Sequence, residues 1–573
     1  MALRGIDSSG GGVTFVASST LPAAGKAGAD YICDGTQDNV QIQAAIDALP
    51  SDGGVVRLSE GTFTAERIEL KSGTTLEGSG NGTILVLADS QDSRFITQEG
   101  WDGTNTTTQV TDISLRDMVI DGNTTGQSGI GTTDAKGNAG CVDFKNCLRV
   151  DIQNVTIGDA HGAGIELTYC VNVRVVNNTI NGSTDDSIGV NDMCQYVYVA
   201  GNLITNPAEK GSHGSPACIE VQDGAEHIVI TGNRIIMDGY VPADSAKPNG
   251  IYVCSHNVAS GSACHNVVIS GNTIYNSVAA AYNLIYIKGK NSTELCTDIL
   301  VDGNILQEET PGAATRYRLE NCERVSLTNN MSNSWLTGGA TSVEMIWLGK
   351  VYYTLISNNH FANAKNGITG SDGCDIQFMR MDGNTFESGY RTFDFGAGTE
   401  TFEGVSICNN TFVWGDGSAY DFRFAASDIN TYTDCELIGN RFVGTAMAIT
   451  PATNLAFADW TLRDNINALS APYTVTTGAS LTPWASEQGQ YDITALGVNA
   501  AINAPLGTPV NGQELTIRIL ASGGPRTLTW NAVYQSIPAT LPATVADGKT
   551  NYVHLRYNSA DSKWDCISAV AEA

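Results

Sequence analysis

Two adjacent carboxylates, Asp185 and Asp186, stand directly before a short apolar strand, Ser187-Ile188-Gly189-Val190. Paired carboxylates suit glycosidic cleavage, where one acid protonates the leaving oxygen and another activates water or attacks the sugar. Crowded like charges raise one pKa and keep that acid protonated. The same pair also suits turn and capping roles, or calcium, which needs several oxygen ligands. Glu166, Glu220, His161 and His213 stand about one repeat away on either side. A second chemistry is open to the neighbours. His161 or His213 with Tyr252 or Tyr286 could serve as base and acid, with Lys288 neutralising a uronate. Asp159, Asp192 and Glu220 add polar groups that would hold a sugar. A lone turn histidine is ordinarily just solvated, and the two tyrosines could equally be a structural stack.

These residues need a scaffold that brings them together, and a repeat supplies it. Asn154, Asn178, Asn202, Asn233, Asn272, Asn304, Asn330, Asn359, Asn384, Asn410, Asn440 and Asn465 follow short apolar-alternating runs, 24 to 39 residues apart. A period of this size marks a solenoid. The runs, such as Val171-Asn172-Val173-Arg174-Val175-Val176, are β-branched, short and bounded by turn residues, so each repeat reads as a coil of strands. Stacked coils pair strand on strand in parallel and share one core. The asparagines suit the left-handed backbone of sharp turns and can bond to coils above and below. Aligning the third strands by Ile165/Leu167, Ile188/Val190, Ile219/Val221, Ile251/Val253 and Ile285/Ile287 sends Glu166, Gly189, Glu220, Tyr252 and Tyr286 outward in one column. The coils between Asn202 and Asn304 are longest, so loops beside this column form a groove wall.

A second ladder, Cys147, Cys170, Cys194, Cys264, Cys296, Cys322 and Cys374, reads as buried reduced thiols. No C-x-x-C pair occurs, which argues against structural zinc, and no metal ligand set is assigned. The 573 residues carry 60 acidic and 31 basic side chains, a net charge of −29 that disfavours nucleic acid as a partner. No apolar run of about 18 residues is present, so membrane insertion is not expected, and Met1-Ala2-Leu3-Arg4-Gly5 shows no signal region. The fourteen cysteines favour assembly in a reducing compartment.

In chain order, residues 1–29 read as a loose lead-in. Asp38 to Pro50 has apolar residues at 42, 45, 46 and 49, which predicts a helix with Asp38 as N-cap that covers the first coil. From Gly35-Thr36-Gln37-Asp38 through Ala44-Ala45-Ile46-Asp47-Ala48, Gly53-Gly54-Val55-Val56, Gly61-Thr62-Phe63 and Leu76-Glu77-Gly78-Ser79-Gly80, the chain resembles the opening of pectate-lyase-superfamily right-handed β-helix proteins. Polygalacturonases, rhamnogalacturonan-active enzymes, alginate epimerases and bacteriophage tailspikes belong to that superfamily. The resemblance spans about residues 30–465.

Asp185-Asp186-Ser187-Ile188-Gly189-Val190 resembles the polygalacturonase segment Asp-Asp-Cys-Ile-Ala-Ile, which implies a catalytic acid and partner carboxylate here. Ser212-His213-Gly214 resembles its Gly-His-Gly. That family's third carboxylate falls on Ala163, and its Arg-Ile-Lys falls on Tyr252-Val253-Cys254, so the second carboxylate must come from Asp186, Glu166 or Glu220. The Asp-Pro-His of alginate epimerases finds only Asp159-Ala160-His161, in the preceding turn. Residues 467–573 break the period with short strands around Leu515–Ile519, Arg526–Trp530, Tyr552–Tyr557 and Trp564. They resemble C-terminal domains of phage tail fibres, which implies a β-sandwich for homotrimer assembly or glycan contact.

The expectation is an all-β right-handed parallel β-helix over 30–466, with a helical cap and a C-terminal sandwich. It cleaves polysaccharide as a glycoside hydrolase, or alternatively as a uronan lyase or epimerase, or only binds a glycan. No cofactor is required, calcium is possible, and the site of action is extracellular or virion-associated.

Overall fold

Each repeat folds into three short strands, and each strand pairs in parallel with its counterpart one coil on. Thus Val171–Val176, Thr179–Ser183 and Ile188–Asn191 lie against Gln195–Ala200, Leu203–Thr205 and Ala217–Gln222. This computed structural model describes residues 12–101, 109–128, 140–207, 216–238, 248–256, 263–277, 283–309, 315–334, 344–395, 401–414, 422–424, 431–443, 460–463, 465, 473–483, 490–505, 509 and 511–572. The chain forms two compact units, 1–354 with 359–365, and 355–358 with 366–573.

In the first unit the third-strand register is the one the apolar pairs predict. Ile165, Ile188, Ile219, Ile251 and Ile285 succeed one another rung by rung, as do Leu167, Val190, Val221, Val253 and Ile287, and all are fully buried. Between them Glu166, Gly189, Glu220, Tyr252 and Tyr286 form the outward column.

The asparagine ladder is built differently from the expectation. The left-handed residue is the one before each ladder asparagine: Asn177 (φ 55°), Gly201 (φ 66°), Gly232 (φ 63°), Gly271 (φ 61°) and Gly303 (φ 64°). The ladder asparagine itself turns inward. Asn233 donates its main-chain N–H and its side-chain amide to Asn272 Oδ1 at 2.9 and 3.0 Å, and the amide also reaches Val199 O at 2.9 Å. The pattern repeats from Asn178 to Asn359. Asn154 stands outside it. It is itself left-handed (φ 54°), and Val155 takes the ladder position, donating to Asn178 Oδ1.

The thiol ladder is a register column in which Cys147, Cys170, Cys194, Ala225, Cys264, Cys296 and Cys322 succeed one another. All fourteen cysteines are free.

The helix Asn39–Asp47 buries Ile42, Ala45 and Ile46. Asp38 makes no capping bond. Its carboxylate instead accepts the N–H groups of Gly35 and Thr64, tying the helix start to the first coils. Gly12–Ala17, within the expected lead-in, is a strand paired in parallel with Gly54–Leu58.

The second unit carries its own ladder, Asn384 to Asn410 to Asn440 to Asn465. Its tail forms a six-stranded and a four-stranded sheet around one apolar cluster that includes Trp564. The first strands of both sheets still pair in parallel: Tyr473–Val475, Gln490–Leu496 and Glu514–Ala521 in one, Ser480–Leu481, Ala500–Ile502 and Arg526–Trp530 in the other. The connections are long enough for parallel crossovers. Antiparallel pairing begins only with Thr544–Val545, Thr550–Asn558 and Lys563–Ala571.

Candidate active site

The outward column runs further than the five residues read from sequence. In register it is Asp143, Glu166, Gly189, Glu220, Tyr252, Tyr286, Arg318 and Trp347, all in the first unit. Carboxylates occupy one half, from Asp143 to Glu220, and aromatic and guanidinium groups the other, from Tyr252 to Trp347.

Asp185 and Asp186, in the turn before Ile188–Asn191, are both buried. Asp186 Oδ1 accepts the N–H of Ala217 at 2.7 Å, which fixes this carboxyl against the next coil. Burial first, and then the neighbouring Glu220 carboxyl, push its pKa well above the usual range. Burial likewise raises Glu220 to about 7, against the lowering effect of its neighbours Asp186 and Cys254, whose Sγ donates to it at 3.4 Å. Burial thus favours the protonated form of both carboxyls.

Glu166, partly exposed, is raised by burial first and then by the charges of Asp143, Asp186 and Asp185. The Asn191 amide donates to its carboxylate. Glycine at 189 is required by this arrangement, because a Cβ there would lie 2.5 Å from Glu166 Oε2. One rung earlier, Asp143 is paired with Arg94, whose guanidinium lies 3.7 Å from the Trp101 ring centroid. Burial raises Asp143 to about 6, against the lowering effect of Arg94.

At the other end Tyr252 stacks on Tyr286 at 4.8 Å, and Arg318 lies over Tyr286 at 4.8 Å and over Trp347 at 4.2 Å. Glu320 orders this stack, accepting from Tyr286 Oη at 2.7 Å and from Arg318 at 3.2 Å. Lys288, partly exposed, lies in register between Cys254 and Glu320.

Of the remaining expected residues, His161 adjoins the Asp185 turn, its carbonyl accepting from Thr184 Oγ1 at 2.7 Å. His161 is buried in the turn before Ile165–Thr168, with Nε2 4.0 Å from Asp92 Oδ1. Asp159 is an exposed left-handed residue (φ 45°). Asp192 is a left-handed residue in the turn after Ile188–Asn191, raised by burial and by Asp223. His213 lies outside the described residues. Sequence reasoning missed Asp143, Arg94, Trp101, Arg318 and Trp347. The last two follow from continuing the apolar alignment through Tyr317/Leu319 and Ile346/Leu348.

No family model matches the chain, and no curated protein matches it. Solved structures do. The A-module of the Azotobacter vinelandii mannuronan C-5 epimerase AlgE6 is 15% identical, with 72% of this chain and 97% of that one covered at a TM-score of 0.48. The Streptococcus pneumoniae surface adhesin PfbA is 19% identical, with 66% and 90% covered at 0.46. Tailspike protein 3 of bacteriophage CBA120 is 12% identical, with 94% and 67% covered at 0.44. The likeness is one of fold, and no residue role or substrate passes from these proteins to this chain. The chain's own strand register makes it a parallel β-helix protein.

Proposed function

We propose that this chain binds a polysaccharide along the outward column and hydrolyses it at the carboxylate centre. The observation that carries the reading is the cluster of the buried carboxyls Asp185, Asp186 and Glu220 with the partly exposed Glu166, close enough to perturb one another. Asp186 holds the proton that a leaving glycosidic oxygen needs. The second carboxyl comes from Glu166, to which the Asn191 amide donates, or from Asp185. Arg318 and Trp347, partly exposed and stacked on each other beside Tyr286, offer the aromatic and hydrogen-bonding surface that sugars take.

A second reading, a uronan lyase or epimerase, is favoured by Tyr252 Oη lying 3.3 Å from His256 Nε2, with Lys288 one rung from Cys254. A third, glycan binding without turnover, needs only the aromatic half of the column. The tail supports a homotrimer displayed outside the cell or on a virion, by its resemblance to tail-fibre ends. Calcium remains a possible ligand of the carboxylates and is not required for the acid–base chemistry. Among the described residues no helix is long and apolar enough to cross a membrane.

The deciding experiment incubates the protein with neutral and acidic polysaccharides and reads reducing ends, unsaturated-uronate absorbance and uronate composition together. Reducing ends alone, abolished by Asp186→Asn, support hydrolysis. Rising uronate absorbance establishes elimination, and altered composition without cleavage establishes epimerisation. Binding without any product leaves a glycan-binding spike.

A further inference from the structure

Glu220 and Gln222 lie two residues apart on the strand Ala217–Gln222, and Cys254 and His256 lie two apart at the end of the adjoining strand Asn249–Cys254. Gln222 pairs with Cys254 in register. Glu220 and Gln222 share a face of their strand, Cys254 stands beside Gln222 on the next rung and His256 follows just past that strand's end, so four donor-bearing side chains meet in one place. Cys254 Sγ lies 3.4 Å from Glu220 Oε1 and 3.6 Å from His256 Nδ1, which is 3.3 Å from Gln222 Oε1. The donor atoms of Glu220, Cys254 and His256 all fall within 4.8 Å of one another.

A tetrahedral ion with bonds of about 2.3 Å to sulfur and about 2.0–2.2 Å to nitrogen and oxygen holds its donors roughly 3.3–3.6 Å apart. The three hydrogen-bonded separations already match that spacing. We propose that Glu220, Cys254 and His256 bind a divalent transition-metal ion of the zinc class. Gln222 or an external oxygen takes the fourth position.

The donor set is the argument for this class. A thiolate and an imidazole select zinc-like ions, whereas calcium and magnesium take oxygen ligands. An outer partner is in place as well. Tyr252 Oη meets His256 Nε2 at 3.3 Å. Glu220 and Cys254 are buried while His256 is exposed, so the ion enters past the imidazole. The assignment does not depend on glycan hydrolysis.

The test titrates the full chain, stripped of metal by a chelator, with Co²⁺ and then displaces it with Zn²⁺. The expected result is one equivalent bound, with a thiolate-to-cobalt charge-transfer band that zinc bleaches. Cys254→Ser should lose that band, and His256→Gln should weaken Co²⁺ binding by at least about tenfold. His256 is exposed, so its variant keeps the fold, as circular dichroism would verify. It decides the question alone should Cys254→Ser not fold. Absence of the band in the wild-type chain, or unchanged affinity in His256→Gln, overturns the assignment. The thirteen other cysteines cannot mimic a band that both substitutions alter.

Discussion

Asp186 and Glu220 both favour the protonated form because neither carboxyl can shed its proton cheaply in a buried site next to the other. Asp186→Asn keeps the bond from Ala217 N–H but cannot supply the acid, and turnover should fall by about 10²–10⁴-fold with binding retained. Gly189→Ala is the subtler probe. Its Cβ would collide with the end of Glu166, a side chain that can swing aside. The variant should fold with near wild-type stability yet lose at least about tenfold in kcat, since misplacing a reacting group by about 1 Å costs that much or more.

The raised pKa of Glu220 also fixes a sign for stability. The folded state holds a proton that the unfolded chain releases above the ordinary value of 4.5, so this stabilisation is full below that pH and is lost as pH rises through about 7. In unfolding titrations Glu220→Gln should therefore gain on the wild type across that window, by about 3 kcal/mol at most. A difference independent of pH would contradict the raised pKa.

At the scale of the element, the asparagine ladder separates two jobs that look like one in the sequence. The dipeptide [Gly/Asn]-Asn places the left-handed turn on its first residue and the stacking amide on its second. Asn272→Leu strands the donors of Asn233 and should cost about 2–5 kcal/mol in denaturant unfolding. Asn154→Ala, off the ladder and exposed, should cost about 1 kcal/mol or less. Equal losses would mean the ladder bonds contribute nothing.

The strands were legible because period-two alternation fixes register without ambiguity, and the column Glu166, Gly189, Glu220, Tyr252, Tyr286 was read from it directly. Asp143 was not, because the long segment between Trp101 and Cys141 hides the repeat that joins Ile96–Gln98 to Val142–Lys145. Asp38 reads as an N-cap by type, but its carboxylate is taken by Gly35 and Thr64, a tertiary competition that no local pattern shows. The tail's turn signals marked its strands but not their pairing, which is parallel for the early strands and antiparallel only for the last.

At the scale of the whole molecule, the column from Asp143 to Trp347 crosses seven strand spacings, about 34 Å at roughly 4.8 Å each. Such a surface suits a chain of several sugars. Trp347→Ala, four rungs from Glu220, should raise KM for long chains while leaving kcat nearly unchanged, as expected for uniform binding. The proposed trimer predicts three times the mass of 60.4 kDa in light scattering, and a monomeric mass would remove it.

The central claim is that one proton, held by Asp186, breaks a glycosidic bond. Its most direct test compares wild-type and Asp186→Asn protein on a polysaccharide that both bind, counting new reducing ends across the pH range. The account predicts release by the wild type and none by the variant. Equal release by the two proteins would contradict it.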